Sequence, residues 1–172
     1  MDKPRYSIWL VPSQPAQAQF AQAIIDLAKR YQSPWFVPHM TVSGDVEIGL
    51  DDLIQKLEPV AEQAARLTVQ IDKIEIGHKY YQCVYAKLIK SRALIKLYEQ
   101  TCAALNRPAD PGWLAHSSLL YGDFDDTIKL EAKKVAESLV LPTSFTADKL
   151  SIRLSGPDPK NWPEMKKLPF KE

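Results

Sequence analysis

One pattern recurs in this chain and limits what it can fold into: a β-rich segment bearing a histidine, a Gly-Asp step and then a helical segment, once around His39 and once around His116. The two copies are Pro38-His39-Met40-Thr41-Val42-Ser43-Gly44-Asp45 and Ala115-His116-Ser117-Ser118-Leu119-Leu120-Tyr121-Gly122-Asp123. Repetition of a unit of about half the chain is the mark of an internal duplication. It predicts an α+β fold of two pseudo-symmetric lobes, each a small antiparallel sheet backed by two helices, with the active site in the cleft between them. At 172 residues the chain is short for two independent cores, so residues 1–172 read as a single bilobal domain.

Periodicity places the elements. Tyr6 to Val11 is β-branched and aromatic and is closed by Pro12 and Pro15, whereas Phe20, Ile24, Leu27 and Tyr31 recur at helical spacing and predict a helix over 16–31. Phe36 to Val42 reads as extended, Ser43-Gly44-Asp45 as a turn, and Leu50 to Ala65 as a second helix. Leu67 to Gly77 and Tyr80 to Ile89 form the two arms of an expected hairpin, and a third helix fits 91–105 before the Pro108, Pro111 and Gly112 cluster. A strand over 113–121, a helix over 126–139, a strand over 144–154 and a tail that adds an edge strand or packs down complete the reading.

In a strand, side chains two apart share a face, so His39 stands with Thr41 and His116 with Ser118, each pair spaced by roughly 6 to 7 Å of strand rise. Each pair can hold one phosphate between an imidazole and a hydroxyl. If the lobes face each other across the duplication axis, two imidazoles and two hydroxyls surround a single anion. Opening a cyclic phosphodiester needs a base for water and an acid for the departing sugar oxygen on opposite sides of phosphorus. Histidine serves both roles because its ordinary pKa of about 6.5 makes both protonation states accessible near neutrality. Thr41 and Ser118 would bind the non-bridging oxygens. Tyr121, three residues beyond Ser118, joins the pocket only if the strand bends before Gly122. Trp113 and the Tyr80-Tyr81-Gln82 stretch are candidate stacking platforms for a base, though aromatics in strands usually belong to the core. A single histidine in an apolar strand is more often structural than catalytic, but here two of the chain's three share one motif at the same place in a repeated unit. His78 lacks the pattern and reads as turn or surface.

Other chemistries find less support. Tetrahedral zinc wants closely spaced third and fourth ligands; only Asp45 and Asp123 lie near, each after a glycine where Asp serves local turns, so no metal and no cofactor are expected. Cys83 and Cys102 have no CxxC spacing, sit in apolar patterns and are expected reduced and structural. Lys+Arg of 22 against Asp+Glu of 21 leaves no global field for a long polyanion. The expected ligand is therefore small, with no long nucleic acid. The start MDKPRYSIWLVP has an apolar run too short for a signal peptide or span, giving the expectation of a cytoplasmic monomer without membrane attachment.

HMTV and HSSL resemble the twin His-x-Thr/Ser-x motifs of the 2H phosphoesterase superfamily. VPHMTVSG, YYQCVYAKL and HSSLLYGD together look most like its cyclic phosphodiesterase branch, a likeness running from Tyr6 to about Leu154. The resemblance implies metal-free hydrolysis of ADP-ribose 1″,2″-cyclic phosphate and nucleoside 2′,3′-cyclic phosphates to the 1″- or 2′-phosphate. It also implies His39 and His116 as the catalytic pair, Thr41 and Ser118 as phosphate ligands, and Tyr121 in the pocket. Ala115 stands where relatives usually have proline, and no disulfide of the kind found in plant relatives is expected. Two rivals follow: a 2H enzyme of RNA ends, as 2′-5′ ligase or 3′-end phosphodiesterase, which a basic groove would favour, and a non-catalytic nucleotide-binding module.

Overall fold

The computed structural model describes residues 4–171, so residues 1–3 of the opening segment lie outside the described residues. The elements run β1 (Tyr6–Leu10), α1 (Ala16–Tyr31), β2 (Met40–Val46), α2 (Leu50–Gln63), β3 (Leu67–Ile76), β4 (Val84–Leu88), α3 (Arg92–Ala104), β5 (His116–Leu120), α4 (Asp126–Ser138), β6 (Ser144–Ala147), β7 (Lys149–Leu154) and β8 (Glu164–Pro169). The strands form one antiparallel sheet in the order β6-β3-β4-β5-β2-β1-β7-β8. β5, which opens on His116, and β2, which His39 immediately precedes, are thus neighbours at its centre.

Strand alternation divides this sheet into a greasy face and a working face. Ile8, Leu10, Met40, Ala86, Leu119, Leu150 and Ile152 are fully buried on one side beneath the helices. Each large side chain so buried is worth about 1.5–3 kcal/mol, so this face drives folding. The alternating positions Ser7, Trp9, Thr41, His116, Ser118, Ser151 and Arg153 stand on the other side. The helices present matching apolar stripes, such as Phe20, Ile24 and Leu27 of α1. Ser91 and Asp125 cap α3 and α4, accepting from the backbone N–H of Leu94 at 3.2 Å and of Ile128 at 2.9 Å.

The helices are exchanged relative to a simple sequential pair of lobes. α1 packs on β5, β6 and α4, while α2 packs on α3 and β8 and α3 reaches β2. One half of the strand order, β2-β1-β7-β8, draws from both ends of the chain, whereas β6-β3-β4-β5 comes from its middle.

Three local expectations are corrected. Ser43-Gly44-Asp45 is not a turn but a bulge inside β2: its register against β1 slips between Ile8↔Ser43 and Tyr6↔Val46, and Asp45 takes φ 50°. Arg107, arriving from beyond α3, satisfies the bulge by donating to Ser43 Oγ at 3.1 Å, to the Gly44 carbonyl at 2.6 Å and to the Asp45 carbonyl at 2.5 Å. Tyr80–Gln82 is a 3-10 turn rather than part of the hairpin arm. The chain folds back so tightly there that a Cβ on Gly77 would collide with the Gln82 carbonyl oxygen. The strand expected over 144–154 is two strands broken at Asp148: β6 at one edge of the sheet, and β7 near the other, between β1 and β8.

Candidate active site

β2 and β5 meet at one antiparallel register pair, Met40 opposite Ser117, both completely buried. Their flanking residues therefore face the other way, into the cleft, with His39 alongside Ser118 and Thr41 alongside His116. The sequence pairs each histidine with the hydroxyl two residues on; the register adds the cross pairs and closes the four side chains into one cluster. A cavity of about 280 Å³ opens over them, lined by His39, Thr41, His116, Ser118 and Tyr121 together with residues of β1, the 3-10 turn and the β7–β8 loop. All five residues singled out from the sequence line this one space.

The imidazoles are fixed in the same way. His39 Nδ1 lies 2.6 Å from the Val37 carbonyl and His116 Nδ1 lies 3.0 Å from the Leu114 carbonyl, in each case two residues upstream. A carbonyl only accepts, so Nδ1 carries the proton and donates, and in the neutral ring Nε2 keeps a free lone pair. His39 is also stacked on Trp9 at 3.5 Å and 9°. Trp9 in turn donates from Nε1 to Ser7 Oγ at 2.7 Å and lies under the Arg153 guanidinium at 5.1 Å, which is held by Glu164 at 3.0 Å. His116 meets the edge of Tyr85, at 5.4 Å and 70°.

Burial dominates the electrostatics of both rings. His39 is pushed down to about 3, first by burial and then by the nearby His116 and Arg153, against a partial lift from its bond to Val37. His116 is lowered by burial and by Lys79, again offset by its backbone bond. Burial thus keeps both rings neutral at neutral pH, and an anion between them would favour protonation of either.

The hydroxyl residues are less alike than their motifs. Ser118 Oγ donates to the Tyr81 carbonyl at 2.5 Å, tying β5 to the 3-10 turn. Tyr121 reaches the cavity because β5 ends at Leu120 and Gly122 takes φ 153°, the bend the sequence required. Its ring stacks flat on Phe36 at 3.6 Å, and burial pushes its phenol well above the ordinary range. Of the aromatic candidates, Tyr81 lines the cavity, whereas Trp113 stacks on Tyr98 at 4.0 Å and 1° and lines an adjoining one. His78 is exposed in the turn after β3. Asp45 lines the cavity and Asp123 is exposed; among the described residues no group of three or more His, Cys, Asp or Glu is placed to hold a metal. Cys83 and Cys102 are buried and unbonded.

Comparison with known proteins decides the family. Residues 5–148 match the family model described as cyclic phosphodiesterase-like protein. The chain belongs to the cyclic phosphodiesterase-like family. A cyclic phosphodiesterase of Arabidopsis thaliana is 26% identical over 150 residues, covering 87% of this chain and 81% of the plant protein. Among solved structures, E. coli LigT bound to 3′-AMP superposes with a TM-score of 0.61 at 14% identity, covering 99% of this chain and 100% of LigT. TT0787 of Thermus thermophilus does so with a TM-score of 0.66 at 13% identity, covering 96% of this chain and 97% of its own. The likeness to those two is one of fold. This family member contains no helix long and apolar enough to cross a membrane among its described residues.

The sequence reading missed Trp9, Arg153, Lys79 and Trp162 at this site. Ser7 and Trp9 alternate with Ile8 and Leu10 in β1, as Ser151 and Arg153 alternate with Leu150 and Ile152 in β7. Polar side chains at every second position of an apolar strand were the available signal. Lys79 and Trp162 sit in a turn and a loop and gave none.

Proposed function

We propose that this protein hydrolyses small cyclic phosphodiesters, nucleoside 2′,3′-cyclic phosphates and ADP-ribose 1″,2″-cyclic phosphate, to the 2′- or 1″-phosphate without a metal. What carries the reading is the matched anchoring of His39 and His116: each Nδ1 is committed to a backbone carbonyl, leaving each Nε2 for the cavity they share with Thr41 and Ser118. One neutral imidazole takes a proton from water as its oxygen forms the new bond to phosphorus. The other, protonated under the influence of the bound anion, gives its proton to the sugar oxygen as the old P–O bond breaks. Each role is worth roughly 10²- to 10⁴-fold. Thr41 donates to a non-bridging oxygen, and Ser118 does so by releasing the Tyr81 carbonyl; such donors stabilise the charge that builds in the transition state. Tyr121 closes the wall beside the phosphate. Single-domain folding of 1–172 as a monomer in the cytoplasm belongs to the same reading.

The test is a panel of adenosine 2′,3′-cyclic phosphate, ADP-ribose 1″,2″-cyclic phosphate and an RNA oligonucleotide ending in a cyclic phosphate, assayed with excess chelator. The expected result is chelator-resistant turnover of the small substrates, lost by at least about a hundredfold in His39→Ala and in His116→Ala. Strong preference for the oligonucleotide would place the chain among enzymes of RNA ends. Ligand recovered unchanged would mark a binding module.

A further inference from the structure

A second cavity, of about 570 Å³, adjoins the catalytic one, and the two share Thr41, Gly44, Asp45, Lys79, Gln82 and His116. It extends past His116 to the segment between α3 and β5, where Arg107, Asp110 and Trp113 line it. Its volume is that of a small-molecule site. No step of the hydrolysis proposed above uses this space, which leaves it for whatever the reacting ribose carries beyond its cyclic phosphate.

The charged groups around it are not equivalent. Arg107 is committed to the Ser43 hydroxyl and to the Gly44 and Asp45 carbonyls, and Asp110 accepts from the Gly112 N–H at 2.8 Å. Asp45 and Lys79 remain, and among the described residues neither has an ion-pair partner. A carboxylate repels phosphate, so Asp45 suits a sugar hydroxyl, and Lys79 is the group a phosphate would meet. The backbone of Lys79 is held in place. Its carbonyl accepts from the Gln82 N–H at 2.9 Å, closing the 3-10 turn, and the Gly122 N–H ties that turn to the end of β5 by donating to the Tyr80 carbonyl at 3.0 Å. Its side chain is exposed, and its charge is close enough to His116 to press that ring toward the neutral form. A cation on a fixed stem beside a catalytic histidine, at the junction of two cavities, is placed for a second phosphate on the substrate whose first lies between the histidines.

We propose that Lys79 is a specificity-determining residue that binds a phosphoryl group on O5 of the reacting ribose, the adjoining cavity taking the substituent which that phosphoryl group carries. The inference rests on the hydrolytic reading above and narrows its substrate class. ADP-ribose 1″,2″-cyclic phosphate carries such a group, because a diphosphate leaves O5″ of its reacting ribose. An RNA 3′ end closed as a 2′,3′-cyclic phosphate carries one too, in the phosphodiester to the preceding nucleotide. A free nucleoside 2′,3′-cyclic phosphate has only a hydroxyl there.

The experiment compares kcat/KM for adenosine 2′,3′-cyclic phosphate with that for its 5′-phosphorylated form in wild type, Lys79→Met and Lys79→Arg. One charge-assisted contact from an exposed ammonium predicts a wild-type preference of roughly five- to tenfold for the 5′-phosphorylated substrate. Lys79→Met should bring that ratio close to one, mainly through KM, and Lys79→Arg should keep most of it. An influence of Lys79 exerted only through His116 would change both substrates alike; a ratio unaltered in Lys79→Met, or a wild-type ratio near one, overturns the proposal. ADP-ribose 1″,2″-cyclic phosphate and a diadenylate ending in a 2′,3′-cyclic phosphate, assayed in the same variants, separate the two sources of the group. The one that loses more in Lys79→Met is the one the adjoining cavity serves, and loss in neither overturns the subsite. Calorimetry with adenosine 2′,5′-bisphosphate against adenosine 2′-phosphate reads the contact independently of turnover. If no cyclic phosphate is hydrolysed but the bisphosphate binds at least about fivefold tighter in a Lys79-dependent way, the subsite stands and the hydrolytic reading falls. Equal binding of the two overturns the subsite.

Discussion

Buried neutral histidines make acid the natural enemy of this fold, and His39 permits a quantitative test. Its ring is packed between Trp9 and Phe36 and held at about 3, whereas in the unfolded chain it returns to about 6.5. Below 6.5 the unfolded state binds a proton that the native state refuses, so unfolding becomes more favourable as pH falls. The contribution is fully present above about 6.5 and is lost progressively down to about 3, at up to about 1.4 kcal/mol per pH unit. Between pH 7.5 and pH 5 that amounts to about 2 kcal/mol from this one group. His116, lowered in the same direction, adds to the slope but is common to both proteins in a comparison with His39→Gln. Urea unfolding at pH 7.5, 6.5, 5.5 and 5.0 should therefore show wild type losing about 2 kcal/mol more than His39→Gln over the range. Carboxylates with depressed values, such as Glu164 and Glu75, titrate below that window. Parallel loss of stability in the two proteins would refute the claim that His39 is held neutral by its surroundings.

Other expectations follow from single contacts. Gly122→Ala drives a Cβ into the Phe124 ring at φ 153°, and should destabilise the fold by roughly 1–3 kcal/mol in urea titrations while disturbing the course of Tyr121. Tyr121→Phe keeps the stack on Phe36 and should leave the melting temperature within a few degrees, yet raise KM for adenosine 2′,3′-cyclic phosphate several-fold if the phenol touches substrate. Arg107→Met strips three hydrogen bonds from the β2 bulge and should cost about 1–3 kcal/mol in urea unfolding, with faster amide exchange at Asp45 and Val46.

The sequence was most legible where one period ruled. α1 is bounded by Ala16 and Tyr31 as its 3.6-residue apolar spacing indicates, and the catalytic candidates emerge from a strand period of two applied to a repeated motif. It was least legible where tertiary partners overrule local grammar. Ser43-Gly44-Asp45 carries every mark of a turn, but Arg107, 62 residues from Asp45, supplies donors to the carbonyls a bulge exposes. Asp148 separates β6, at one edge of the sheet, from β7, which lies between β1 and β8 on the other side, a choice that depends on which neighbours are open. The exchange of α1 onto β5 and β6 depends on global strand order and leaves no trace in the chain's own spacing. The same holds for Arg153, whose partners Trp9 and Glu164 are assembled only by the sheet.

The most direct measurement is a titration of the histidine ring nitrogens by long-range proton–nitrogen NMR as inorganic phosphate is added, with exposed His78 as internal control. One phosphate gripped by both rings should move the Nε2 resonances of His39 and His116 together, along a single saturation curve, while His78 stays still. Movement of one ring alone, or of the two along different curves, would contradict the claim that both imidazoles address the same phosphorus.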